Sequence, residues 1–262
     1  MKNRFVPALI AGVLLSTSAF AHDTWLSPVK TSIEAGAEAA FDLTSGMAFP
    51  ALDYAIKAER VTSAACRLGG RSWPLASSAA TKSLHLTARL ETAGVAVCSV
   101  ELAPKAIELK SDEVKEYLDE IGAPPSVREA WAAMHPQRWR ELYSKHAKAV
   151  MVVGTGADEW ASASLGSALE LVPESEPAKW TQGAELVVRL LRHSVPVSGF
   201  AVGVIRQGAP GVNLTTDGDG RVRLRLESVG SYLFRATDVR KASAPNTDWE
   251  SDFATLTLTV AR

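Results

Sequence analysis

Six consecutive residues, Arg221-Val222-Arg223-Leu224-Arg225-Leu226, alternate a charge with an apolar side chain without error. A period of two suits a strand with one buried and one solvated face, and it cannot be satisfied by a helix. The same period runs through residues 82–90, where Leu84, Leu86, Ala88 and Leu90 oppose Ser83, His85, Thr87 and Arg89. It recurs through residues 94–102, with Val95, Val97, Ser99 and Glu101 opposite Ala96, Cys98, Val100 and Leu102. Residues 25–29, 38–44 and 56–68 read as further strands, punctuated by Ala35-Gly36 and Gly69-Gly70. Several short strands with no helix between them predict a β-sandwich. A second set follows at 168–172, 184–191, 200–206, 212–215, 221–226, 230–238 and 255–260, a second sandwich of about seven strands.

Between the two sets the period changes. Asp112 and Glu113 follow Ser111 and suit a first helical turn, and Val114, Tyr117, Leu118 and Ile121 recur at helical spacing. Gly122 and Pro124 stop that helix, and Ser126 with Glu129 forms a capping box ahead of Trp131 and Met134. Past Pro136, residues Trp139, Leu142, Tyr143 and His146 again share a helical face, before 148–153 returns to a β run. The expected organisation is a signal peptide at 1–21, an N-terminal sandwich at 22–105, a helical insertion and connector at 106–150, and a C-terminal sandwich at 151–262. The fold class is mainly β, of immunoglobulin-like or transthyretin-like sandwiches.

The first 21 residues carry a compartment signal. Lys2 and Arg4 precede an apolar run, and Ala19-Phe20-Ala21 is the small-residue pattern a signal peptidase reads. Cleavage after Ala21 predicts a periplasmic or secreted chain beginning at His22. No later apolar run reaches the ~18–20 residues a membrane helix needs, so no stable anchor is expected after cleavage. A net charge of −1 suggests no nucleic-acid partner. Cys66 and Cys98 are the two cysteines, and in an oxidising compartment a disulfide is favoured over two buried free thiols.

A histidine at a free N-terminus offers two nitrogens on one residue, the α-amine and the imidazole. These titrate near ~7.7–8.0 and ~6.5, so both can be proton-free around neutral pH. The pair suits a divalent transition metal such as nickel, cobalt or copper better than calcium or magnesium. Among the other histidines, His146 shares its helical face with Trp139 and Tyr143, which favours packing over ligation. His85 projects from a polar strand face, and His135 and His193 stand in turn regions, where solvent exposure explains each. Asp217 and Asp219 belong to a hairpin turn, Asp217-Gly218-Asp219-Gly220, rather than a calcium loop. Asp248-Trp249-Glu250 reads as packing and capping of the last strand. Gly154-Thr155-Gly156 is too short for a phosphate loop.

The turn 216–222 followed by Gly230-Ser231-Tyr232-Leu233-Phe234-Arg235-Ala236 resembles the transthyretin-like or carboxypeptidase-regulatory-like sandwich. Four more pieces extend the likeness: His22-Asp23-Thr24-Trp25-Leu26, the stretch 143–149, Leu169-Glu170-Leu171-Val172-Pro173 and the stretch 248–257. Together they resemble a bacterial periplasmic family of unknown function related to the periplasmic component of cobalt/nickel uptake systems. The resemblance implies a metal-handling accessory, non-enzymatic, with an inner-membrane metal transporter as the receiving partner. It implies a ligand role at His22, and it draws attention to Asp238, where relatives often carry a histidine, and to His146, where an aromatic residue is common. One or two further side chains, His146 or Asp238, are the expected completing ligands. Two other readings stand beside this one: a sandwich module that binds an envelope carbohydrate or protein without metal, and a copper-dependent oxidase built on the N-terminal histidine.

Overall fold

The computed structural model describes residues 22–155 and 162–261. The predicted signal segment and Gly156 lie outside these residues. In chain order the first strands are β1 (Asp23–Pro28), β2 (Ser32–Ile33), β3 (Glu38–Gly46), β4 (Tyr54–Ala55), β5 (Val61–Leu68), β6 (Arg71–Pro74), β7 (Ala76–Ala79), β8 (Leu84–Arg89) and β9 (Gly94–Leu109). Helices α1 (Ser111–Glu120) and α2 (Pro125–Ala132) follow. Then come β10 (Trp139–Val153), β11 (Leu169–Pro173), β12 (Glu185–Arg192), β13 (Val195–Pro196), β14 (Ala201–Arg206), β15 (Val212–Thr215), β16 (Arg221–Arg225), β17 (Gly230–Lys241) and β18 (Trp249–Val260). The chain is mainly β, as the alternation requires.

The two sandwiches share one sheet. A nine-stranded sheet runs in the order β15-β14-β17-β18-β10-β9-β5-β6, with β2 also on β10, so strands from both ends of the chain meet at a parallel β10–β18 pair. Ladder partners face the same side, which makes the two faces of β10 easy to follow. Ala147, Ala149, Met151 and Val153 join Ala96, Cys98 and Val100 in the core under the sheet β1-β3-β8-β7. Val150 joins Ala254, Leu256, Leu258 and Phe234 in the other core, under β11, β12 and β16. The smaller sheets therefore cover opposite faces of the shared one. Cys66 and Cys98 are partners on β5 and β9, and their sulfurs are bonded.

The stretch 106–150 departs from expectation. Its helices fill only the middle, and the face read as helical at Trp139, Leu142, Tyr143 and His146 is instead part of strand β10. Helix α1 starts where the Lys110 amide donates to Glu113 Oε2 at 2.9 Å, and it ends at Gly122, whose φ of 61° is a left-handed conformation that suits glycine. Helix α2 begins at Pro125, so Ser126 lies inside it and the Ser126–Glu129 capping box does not form. Both helices lie beside β1 on the same face of the shared sheet. Val114, Tyr117 and Leu118 pack there on Trp139, Trp249 and Phe253, and the two indoles stack at 4.5 Å. Burying each large side chain of this kind contributes on the order of 2–3 kcal/mol.

Candidate functional site

Strand β1 lies across β10 and β18 and is tied down by polar contacts. Thr255 Oγ1 donates to the Thr24 carbonyl at 2.7 Å, and Arg235 donates to Asp23 Oδ2 at 2.7 Å. Burial pushes the Asp23 carboxyl up, against the pull of Arg235 and Lys145. From β10, the Lys145 ammonium donates to the His22 carbonyl and, at 3.1 Å, to Thr24 Oγ1. This docking places His22 on the wall of a cavity of about 460 Å³ between β1, β4, β9, β10 and α1.

A break in one ladder builds that cavity. Tyr143 pairs with Lys105 but Lys145 pairs with Leu102, so β9 carries an irregularity at Ala103-Pro104. Proline has no amide to give a ladder and belongs at such a bulge. The extra residue shifts the alternation, so Lys105, Ile107 and Leu109 face the same side as Tyr143 and Lys145. Arg60 donates to the Ala103 carbonyl at 2.8 Å and stands 5.5 Å from the Tyr143 ring centroid. Lys145 is 5.5 Å from the same centroid and 5.4 Å from that of Phe253.

The charges in this space are perturbed. Lys145 is only 8% exposed, and burial, aided by Arg60 and Lys105 and opposed by Asp23 and Glu141, lowers its pKa to about 8. Glu141 is buried deeper, and burial pushes its carboxyl up although three donors hold it. Tyr117 Oη donates to Oε1 at 2.9 Å, Trp139 Nε1 to Oε2 at 2.5 Å, and Ser251 Oγ to Oε1. The His22 ring packs edge-on against Tyr54 at 5.2 Å. Burial and then Lys145 lower its pKa, so the imidazole is neutral at neutral pH. Among the described residues neither ring nitrogen has a hydrogen-bond partner.

His146 and Asp238 lie elsewhere, on the opposite face of the shared sheet. His146 contacts Glu101 through Nδ1 and Asp252 through Nε2, the latter at 2.9 Å. Burial opposes the charge, but Asp252 and Glu101 overcome it and raise the ring pKa to about 9. An imidazolium has no lone pair for a metal. Asp238 accepts from Arg192 at 2.5 Å and lies 3.7 Å from Arg240, which also bonds Asp252 at 2.7 Å. The expected ligand set is therefore corrected: His22 does not meet His146 or Asp238, and both of those are occupied by ion pairs. Among the described residues no group of three or more His, Cys, Asp and Glu side chains is placed to hold a metal ion.

The remaining candidates have structural partners. His85 Nδ1 lies 3.2 Å from Asp42. Asp217 Oδ1 accepts from the amides of Asp219 and Arg221, closing the hairpin turn. Asp248 takes both ends of the Arg140 guanidinium, at 2.9 and 3.0 Å, at the start of β18. What the sequence reading missed is Lys145, Glu141, Arg60 and Lys105. Lys105, Glu141 and Lys145 were charges interleaved with aromatic and apolar residues in stretches that turn out to be strands, and Arg60 closes a short 3-10 turn just ahead of β5.

No curated protein matches the chain. Among solved structures it is similar to the D0-D1 domain of Intimin, at 12% identity and a TM-score of 0.22, covering 89% of this chain and 96% of that one. It is also similar to the I-band fragment I67-I69 from titin, at 10% identity and a TM-score of 0.20, covering 92% and 66%. Overlaps at these scores carry nothing further for this chain. A family model described as a domain of unknown function, DUF4198, matches residues 19–239. That match takes in β1, the cavity walls on β9 and α1, and most of the shared sheet, and the chain belongs to this family of unknown function.

Proposed function

We propose that the protein captures a divalent transition metal of the nickel, cobalt or copper class through His22, as an accessory to uptake or delivery in the periplasm. The observation that carries this reading is the His22 imidazole, its pKa lowered, without a hydrogen-bond partner among the described residues, lining a cavity of about 460 Å³. Cleavage after Ala21 would free an α-amine on the same residue. Amine and Nδ1 then close a six-membered ring around one ion, an arrangement suited to borderline transition metals. Asp53, whose negative field reaches the ring, is the neighbouring carboxylate available to join them. The Lys145 ammonium acts in both directions: it keeps the imidazole neutral, and it repels a bound cation. Capture is therefore governed by competition with protons and by whichever anions accompany the metal. The resemblance of the sequence motifs, taken together, to a periplasmic family related to cobalt/nickel uptake components supports the same reading. An inner-membrane transporter is the receiving partner it implies.

Calorimetric titration of the mature chain with nickel, cobalt, copper and zinc tests this directly. A version with one alanine ahead of His22 keeps the fold but separates the amine from the ring. Tight binding by the native chain and at least a hundredfold loss in the extended one is the expected result. Equal affinity in both forms refutes the chelate, as does a secreted chain whose mass shows cleavage away from Ala21.

A further inference from the structure

We propose that the cavity beneath His22 is a binding site for a small organic carboxylate, anchored by Lys145 at its floor and by Arg60 and Lys105 nearer its rim. This is a second site, and its ligand chemistry does not depend on the metal.

The argument starts from unmatched charge. Elsewhere in the described residues several buried or half-buried cations meet carboxylates: Lys148 meets Glu170, Arg235 meets Asp23, Arg240 meets Asp252 and Arg221 meets Glu174. Among the described residues Lys145, Arg60 and Lys105 have no such partner, yet all three line one cavity. The one carboxylate that lines it, Glu141, already accepts from Tyr117, Trp139 and Ser251. Lys145 is the most deeply placed of the three at 8% exposure, and although the negative fields of Asp23 and Glu141 reach it, neither carboxylate bonds it, so its buried charge lacks a direct partner. Its ammonium has three donors, and the His22 carbonyl and the Thr24 hydroxyl use two of them. An oxyanion in the cavity would take the third and supply a direct ion-pair partner.

The walls specify the rest of the ligand. Tyr143 and Phe253 present aromatic rings beside Lys145, and Ile107 and Leu109 add aliphatic surface. A ligand that satisfies this surface carries an apolar or flat body as well as its carboxylate, which inorganic anions lack. A volume of about 460 Å³ lies in the range of small-molecule sites, roughly 300–1,000 Å³. The bulge at Ala103-Pro104 contributes to this space, since without it Lys105 and Ile107 would face away from Lys145.

The test is calorimetric titration of mature protein, stripped of metal on a chelating resin, with benzoate, its neutral analogue benzamide, and inorganic phosphate. Benzoate should bind at least tenfold tighter than either. Lys145→Met should lose tenfold or more in benzoate affinity. Because that variant alters a buried position, the more exposed Arg60→Gln and Lys105→Gln are measured beside it, and each should weaken benzoate two- to fivefold with an unchanged melting temperature. Benzamide binding as tightly as benzoate, phosphate binding as tightly as benzoate, or affinity unchanged in all three variants would overturn the proposal. Metal titrations on the same preparation keep the two ideas apart: loss of benzoate binding with metal binding intact sinks this site alone.

Discussion

The buried His146 bridge makes a quantitative prediction about stability and pH. Its ring is 10% exposed, between Glu101 and Asp252, and its pKa rises from 6.5 to about 9 in the fold. Each pH unit between the unfolded and folded values is worth about 1.4 kcal/mol, so this bridge contributes about 3 kcal/mol. The sign follows from a base whose pKa is raised on folding. Its contribution is complete below pH 6.5, declines through the interval and is gone above about pH 9. Lys145 titrates in the opposite sense, since burial lowers its pKa to about 8 and its penalty eases as pH rises above that value. Wild-type stability alone therefore mixes the two. The clean measurement is urea unfolding of wild type and His146→Gln at pH 6, 7, 8 and 9, because Lys145 is common to both. The gap between them should be about 3 kcal/mol wider at pH 6 than at pH 9. A gap that stays constant within about 0.5 kcal/mol, or that widens with pH, would mean a neutral ring in the fold, and the imidazolium argument against ligation at His146 would fall with it.

Two further perturbations probe the shared sheet. The Cys66–Cys98 bond joins residues 32 apart in sequence, so the Cys66→Ala/Cys98→Ala double variant should lose about 3–4 kcal/mol in the chain-entropy account, read from urea midpoints without reductant. Glu170 accepts from Lys148, from Ser164 Oγ and from the amides of Leu165 and Gly166. Glu170→Leu strands a buried lysine and should cost about 3–5 kcal/mol, with faster hydrogen exchange at Leu165 and Gly166; protection unchanged at those amides would contradict the assignment.

Where one face of a strand is apolar and the other wet, the alternation was legible. Thus 82–90 and 221–226 lie close to β8 and β16, and Val212–Thr215 matches β15 residue for residue. The failure at β10 has a physical cause. Glu141, Lys145 and Lys148 sit at 2%, 8% and 4% exposure, so both faces of this strand are covered and charges occupy inward positions. Period-two hydrophobicity vanishes under those conditions, and the remaining large residues, Trp139, Tyr143 and His146, happen to fall at helical spacing. For the same reason β9 was ended at Leu102: the bulge at Ala103-Pro104 breaks the alternation, and the strand resumes in the other phase.

The site shows the same limit more sharply. A one-residue difference on a strand decides the face, so Lys145 and His146, adjacent in sequence, serve different environments. Lys145 reaches His22 and the cavity, whereas His146 reaches Glu101 and Asp252 behind the sheet. Sequence reading could nominate His22, because an N-terminal position and a residue type sufficed. It could not assign His146 or Asp238 to a side without knowing that β10 pairs in parallel with β18, a contact across more than one hundred residues. That pairing is also what brings Phe253 beside Lys145 and Asp252 beside His146. The cavity and the buried ion network are thus two sides of a single register, and chemistry proposed for His22 has to be completed by groups on its own side.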